Sequence, residues 1–285
     1  MPEVAFVNGK FMPLAEAVVS VEDRGFQFAD GVYEVLASYG GRPFAQEPHL
    51  RRLEHSLKAL RIDLDIRACG LEGIVREGIA RSGFAETMVY LQVTRGTAPR
   101  HHEFPATGTQ PTLVMIVKEL RRPAAELYEK GVKVVSTPDL RWKRCDIKST
   151  SLLANILAKQ QAAEVGAFEA LLVDGEGRIT EGSSTSAFCV RQGTLWTAPG
   201  GPHILPSITR GLLLELAREL KLLLREEFST LEQYLQAEEV FLAGTTTEAM
   251  PVVKIDDHPV GKGIPGPLTR RLRQAFLEYV AQGDW

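Results

Sequence analysis

The sequence predicts an α+β protein of two domains, and three observations carry that expectation. Stretches with strand character and stretches with helical character come in clusters, not in the strict alternation of a doubly wound sheet or an α/β barrel. The 285 residues exceed the ~150 of a typical single domain. The segment Arg121-Arg122-Pro123 separates two such clusters. The expected units are a small N-terminal α/β domain over 1–120 and a larger C-terminal domain over 121–285.

Each element has a local reason. Val4–Val7 and Lys10–Leu14 flank Asn8-Gly9, a pair that tolerates positive φ at both centres of a tight hairpin turn. Val32–Tyr39 is extended and stops at Gly40-Gly41. Leu50, Leu53, Leu57 and Leu60 recur at helical spacing and predict a helix over 47–61. Leu71, Ile74, Val75 and Ile79 predict another, ending near Gly83. Met88–Thr94 and Thr112–Lys118 are rich in β-branched and apolar residues and predict strands. Beyond the boundary, Val132–Ser136 predicts a strand, and Leu152, Leu153, Ile156 and Leu157 predict a helix that ends near Gly166. Strands are expected at Ala170–Asp174, Arg178–Thr180, Ser186–Val190, Thr194–Thr197, Val240–Ala243 and Val252–Ile255. Helices are expected over 207–221, 230–236 and 267–281, with Ser229 and Glu232 as a capping box for the second.

Composition excludes several classes. Hydrophobic residues make up 44% and charged residues 24%, which is ordinary for a globular protein and rules out disorder or a coiled-coil rod. The formal net charge of −3 gives no global attraction to nucleic acid or to an anionic membrane. The longest apolar runs, such as Leu113–Val117, fall far short of the ~20 residues that span a bilayer. Cys69, Cys145 and Cys189 form no C-x-x-C pair, so they read as reduced thiols of a cytoplasmic protein. The N-terminal MPEVAFVNGKF has no signal-peptide pattern.

Candidate chemistry is sparse when residues are taken singly. There is no P-loop, no G-x-G-x-x-G after a strand and no H-E-x-x-H. His101, His102 and Glu103 are adjacent, but neighbours in an extended loop point apart and no second ligand cluster accompanies them, so no metal is expected. Arg270, Arg271 and Arg273 read as a solvated helix face. Two segments resist so plain a reading, and two more, which alone read as an ordinary turn and an ordinary helix start, have groups that can take an anion. Lys148 precedes an apolar helix in RCDIKSTSLLANILAKQ (144–160). Glu181 precedes two serines in ITEGSSTSAF (179–188). LAGTTTEAMPV (242–252) turns through three threonines, whose N–H and hydroxyl groups suit an anion. SITRGLL (207–213) opens a helix, another place for an anion.

Together and in this order, these segments resemble the class IV aminotransferases, which use pyridoxal 5′-phosphate (PLP). The resemblance runs from about Val7 to Val280. The string EGSSTSAF, then Leu195 and Thr197, then LPSITR (205–210), follows the family's signature region, with Ser186 where the family usually has Asn. Within the family the chain is most similar to D-amino-acid aminotransferases, through EDRGFQFADGVYEV (22–35), VTRGTAPRHHEFP (93–105) and RWKRCDIKS (141–149).

The resemblance implies a two-domain fold of fold type IV whose larger domain is a pseudo-barrel. It implies that Lys148 forms the Schiff base with PLP and that Glu181 pairs with the pyridine nitrogen. It implies that Arg52, Ile208, Thr209 and Thr245 hold the phosphate, with Thr246 close by. Ser183 and Ser184 would flank the ring and Leu205 would pack on its face. Tyr33, Arg100 and His102 would trap the substrate α-carboxylate, the last two from the neighbouring subunit of a homodimer. The implied reaction is ping-pong transamination between a D-amino acid and a 2-oxo acid. A branched-chain L-aminotransferase, an (R)-amine transaminase or an aminodeoxychorismate lyase shares the fold, and a non-catalytic PLP carrier is the non-enzymatic alternative.

Overall fold

The computed structural model describes residues 3–283 and 285. The chain divides into two compact units. The first runs to Arg121 and includes Ile147–Ser151 and Trp285; the second comprises Arg122–Asp146 and the chain from Leu152 to its end near 284. The boundary expected at 120/121 thus has an excursion across it. Ile147 is buried in the same apolar core as Val32 and Leu53, and this anchors the short segment in the first unit.

The first unit contains β1 (Val4–Val7), β2 (Lys10–Pro13), α1 (Arg24–Phe28), β3 (Gly31–Tyr39), β4 (Arg42–Pro43), α2 (Gln46–Leu60), α3 (Leu71–Ser82), β5 (Glu86–Thr94) and β6 (Thr112–Glu119). Its six strands form one sheet in the order β2-β1-β6-β5-β3-β4. α2 packs on β3, and α3 packs on β1 and β6. The apolar stripes read from the sequence are the packed faces: Leu50, Leu53, Leu57, Leu71, Val75 and Ile79 are all buried in one core. α1 escapes the sequence reading because it spans only five residues; Asp23 caps it by accepting a hydrogen bond from the Gly25 N–H at 2.8 Å.

The second unit contains α4 (Ala125–Lys130), β7 (Val132–Pro138), α5 (Leu153–Glu164), β8 (Glu169–Val173), β9 (Arg178–Gly182), β10 (Ser186–Arg191), β11 (Thr194–Thr197) and α6 (Ile208–Glu219). It continues with β12 (Leu223–Glu226), β13 (Ser229–Thr230), α7 (Leu231–Leu235), β14 (Glu239–Gly244), β15 (Glu248–Ile255), β16 (His258–Pro259) and α8 (Pro267–Gln282). The sheet order is β12-β11-β10-β14-β15-β7-β8-β9-β13, and β16 pairs with β15. β9 and β10 lie far apart in that order yet touch each other, so the sheet curls into a half-barrel. Phe188 and Phe241 face each other directly across β10 and β14, with rings stacked at 4.6 Å. α6 and α8 pack together over β14 and β15.

Three expectations are corrected. The capping box of α7 lies one residue later, on Thr230 and Gln233, because the helix begins at Leu231 and this makes Thr230 its N-cap. The helix expected to reach 221 ends at Glu219, and the chain then forms β12, an edge strand with an exposed Leu223 and no alternating pattern to announce it. Arg273 is not on a solvated face: it donates to Glu248 at 3.1 Å and lies over the Tyr128 ring.

Leu53 is fully buried in the first unit. Leu53→Ala is expected to cost ~2–5 kcal/mol, the range for truncating a packed leucine. Thr230→Ala, which removes one helix cap, is expected to cost ~1 kcal/mol. Urea unfolding followed by circular dichroism measures both, and the core variant must show the larger loss.

Candidate active site

In the first unit Lys148 is held by its backbone on two sides. The Tyr33 N–H donates to its carbonyl at 2.9 Å, and its own N–H donates to Ser56 Oγ at 3.2 Å. Val32 and Ser149 form an isolated bridge, and the Thr150 N–H donates to the Gly31 carbonyl at 3.0 Å. Gly31 is required here, since a Cβ would sit 2.8 Å from the Val93 carbonyl oxygen. The half-buried Lys148 side chain places Nζ 4.3 Å from the centre of the Tyr33 ring, which itself stacks on Tyr90. The structure therefore brings Lys148 and Tyr33 together.

Arg52 belongs to a buried ionic group. Its Nε and Nη2 donate to the two oxygens of Glu34 at 2.7 and 2.8 Å, and His49 Nδ1 meets Glu34 Oε2 at 2.8 Å. His49 and Arg52 stand three residues apart on one face of α2, above Glu34 on β3. Burial opposes ionisation of Glu34, yet Arg52 and His49 hold its carboxyl down to about 2. Burial lowers the His49 imidazole below its ordinary value, against the pull of Glu34. The sequence reading picked out Arg52 but not Glu34 or His49, because nothing in strand or helix periodicity marks a buried charge.

Arg100 and His102 lie in an exposed loop and flank one ring. The Arg100 guanidinium is 4.4 Å from the centre of Phe28, and the His102 ring is 5.7 Å from it. Arg24 holds the loop through the carbonyls of His101 at 2.6 Å and His102 at 3.4 Å, and is itself paired with Asp30. The structure thus brings Arg100 and His102 together on Phe28.

In the second unit the EGSST turn joins β9 to β10 where the sheet curls on itself. Gly182 must lack a side chain, since a Cβ would meet Thr185 Oγ1 at 2.2 Å. Glu181 is buried and contacts Nη1 of Arg141, while the Leu205 N–H donates to it at 3.2 Å. Burial pushes the Glu181 carboxyl up from its ordinary range, against the pull of Arg141. A second carboxylate supports the turn: fully buried Glu169 accepts from Ser183 Oγ, and from Ser184 Oγ at 2.8 Å. The single proton of each serine hydroxyl is committed to Glu169, so each oxygen faces any other partner as an acceptor. Neither Arg141 nor Glu169 had a role in the sequence reading, although Arg141 opens the RWKRCDIKS segment.

The same unit gathers groups suited to an anion. Ser207 caps α6 and takes the Arg210 N–H at 3.2 Å, while the first N–H groups of a helix, here Ile208 and Thr209, have no acceptor within it. α8 differs, because buried Glu239 accepts from the N–H groups of Leu268 and Thr269. α6 packs on β14, which runs into the turn carrying half-buried Thr245 and Thr246. The Ser186 hydroxyl, at the position where the sequence departs from the pattern it otherwise resembles, is buried with no hydrogen-bond partner among the described residues. A donor set for an anion, together with a buried carboxylate able to meet a cationic nitrogen, fits PLP. Among the described residues no group of three or more His, Cys, Asp or Glu is arranged to hold a metal ion.

The chain is similar to known proteins over most of its length. The model for amino-transferase class IV matches residues 31–255. The D-alanine aminotransferase of Staphylococcus haemolyticus is 38% identical over 275 residues, covering 96% of this chain and 97% of its own. That of Bacillus licheniformis is 40% identical over 269 residues, 94% of each chain. Among solved structures, a T.th. branched-chain amino acid aminotransferase with pyridoxamine 5′-phosphate superimposes with a TM-score of 0.90 at 28% identity, covering 99% of this chain and 95% of its own. The Escherichia coli branched-chain enzyme gives 0.87 at 25% identity, covering 97% and 94%.

Glu34→Gln would leave the Arg52 cation buried without its counter-charge, at an expected cost of ~3–5 kcal/mol. The carboxyl of Glu34 is lower folded than unfolded, so its contribution is complete above about 4.5 and is lost as pH falls toward about 2. Urea midpoints of wild type and variant should therefore differ most at neutral pH and converge across that acid window.

Proposed function

Because the chain belongs to the class IV aminotransferases, we propose that it transfers the amino group of a D-amino acid, such as D-alanine or D-glutamate, to a 2-oxo acid, such as pyruvate or 2-oxoglutarate. The observation that carries this reading is the Lys148 amine set against Tyr33 on a backbone pinned between β3 and α2. D-alanine aminotransferases that are 38% and 40% identical over nearly the whole chain support the choice of substrate class.

PLP, when bound, supplies an electron sink for carbanion character at the substrate Cα. Lys148 would hold it covalently, and Glu181 would meet its ring nitrogen. Arg52, oriented by Glu34, would hold the phosphate with the N–H groups of Ile208 and Thr209 and the hydroxyls of Thr245 and Thr246. Ser183 and Ser184 would lie beside the ring, and Leu205 on its face. The released Lys148 amine takes the proton from the substrate Cα. Arg100 suits the α-carboxylate because its planar fork donates two parallel hydrogen bonds, and His102 and Tyr33 each add a donor. Arg100 and His102 are assigned to the partner's site, so the active unit is a homodimer. Three unpaired thiols, two of them buried, support a cytoplasmic setting.

Borohydride treatment of the holoenzyme should fix the cofactor on Lys148, and Lys148→Ala should abolish transamination; peptide mapping to another lysine would overturn the assignment. Arg100→Ala should lower kcat/KM for D-alanine by roughly 10- to 200-fold, as expected for loss of charge-assisted bonds worth ~1.5–3 kcal/mol. A substrate amine lacking a carboxylate should lose much less. Faster turnover of L-leucine than of D-alanine would replace the D-specific reading with a branched-chain one.

A further inference from the structure

Glu181 does not stand alone in the second unit. Arg141 is shared between two carboxylates. It contacts Glu181 through Nη1, and it grips Asp139 through Nε at 2.9 Å and Nη2 at 2.7 Å. Asp139 is fixed further by the Thr180 hydroxyl at 2.7 Å and by the Arg141 N–H at 3.1 Å. Arg141 also donates to the His203 carbonyl at 3.2 Å. All three charged side chains are nearly inaccessible, at 7% for Arg141, 11% for Asp139 and 8% for Glu181. The neighbouring Cys145 thiol is pushed up to about 11 by burial and stays neutral, and Asp146 is balanced by Arg144 at 2.9 Å.

The consequence is a matter of charge. A lone Arg141–Glu181 pair would be neutral and would have little need of a further cation. With Asp139 on the same guanidinium, the buried group carries one negative charge in excess. Among the described residues Glu181 Oε2 accepts only the Leu205 N–H, so the excess is open toward a donor. A buried excess charge is costly until a counter-charge arrives.

We propose that Asp139 is a positioning residue which, acting through Arg141, supplies the negative charge that makes Glu181 a partner for a protonated ring nitrogen. This rests on the PLP reading above. It implies that Glu181 is insufficient by itself: with Asp139 neutral, Arg141 would satisfy Glu181 and the bound ring nitrogen would lose its proton more readily.

The test compares binding of two probes to the full-length apoprotein. One is PLP; the other is its carbocyclic analogue, in which the ring nitrogen is replaced by C–H and cannot be protonated. Wild type should prefer PLP. Asp139→Asn should reduce that preference about tenfold, the effect of one pKa unit on the ring nitrogen, while changing affinity for the analogue less than about twofold. The ¹⁵N resonance of bound labelled PLP should move toward the unprotonated position. Asp139→Glu should restore both. Arg141→Gln, which removes the cation and leaves the carboxylates, should shift the preference in the opposite direction, a result that general destabilisation does not produce. An Asp139→Asn protein with unchanged preference and ¹⁵N shift, or equal losses for both probes, overturns the proposal. In that case borohydride labelling of Lys148 on the same wild-type sample would leave the PLP reading standing. Absence of PLP binding by wild type would remove both.

Discussion

A carboxylate taken out of water must find its donors and counter-charges already in place, and each unit of this protein is arranged around that requirement. Glu34 meets Arg52 and His49, and Glu181 meets Arg141 and the Leu205 N–H. Glu169 meets two serine hydroxyls. Glu239 meets the first turn of α8. The penalty for an unmatched buried charge is several kcal/mol, comparable with the whole stability of a domain. These carboxylates therefore constrain which side chains surround them.

The secondary structure serves the same end. α2 lays Leu50, Leu53 and Leu57 into the core, and this leaves His49 and Arg52 directed at Glu34 on β3. The curl that brings β9 against β10 forces a tight EGSST turn, which Gly182 permits and Glu169 stabilises through the serines. In each case apolar packing fixes the backbone, and a buried acid then sets the polar groups. Such an arrangement presents functional groups in place before a ligand arrives, so little ordering remains to be done on binding.

Two anion-directed features show how similar local structures differ in chemistry. α6 is capped by the neutral Ser207 and α8 by the charged Glu239. A carboxylate at a helix N-terminus neutralises the partial positive charge there, whereas a hydroxyl leaves it available. The phosphate site proposed above lies at α6, the helix whose first turn keeps that partial charge.

Much of the fold was legible in local sequence. Asn8-Gly9 marked the first hairpin, and the leucines of 50–57 and the apolar positions of 71–79 marked α2, α3 and the faces they bury. Both depend on short-range rules of turn geometry and helical period. Lys148 and Glu181 stood out in their own segments, but roles for them came only when the segments were taken together, in order, as a family pattern. Tertiary structure alone decided the rest. Nothing near Ile147 in the chain says that it joins the core of Val32 and Leu53. Nothing near Asp139 says that it shares Arg141 with a carboxylate some forty residues away. The cap of α7 falls on Thr230 because the helix starts at Leu231, one residue later than its sequence suggests. Periodicity records which way a side chain faces along one element, but the partner of a buried charge is chosen by whichever distant segment the fold brings against it.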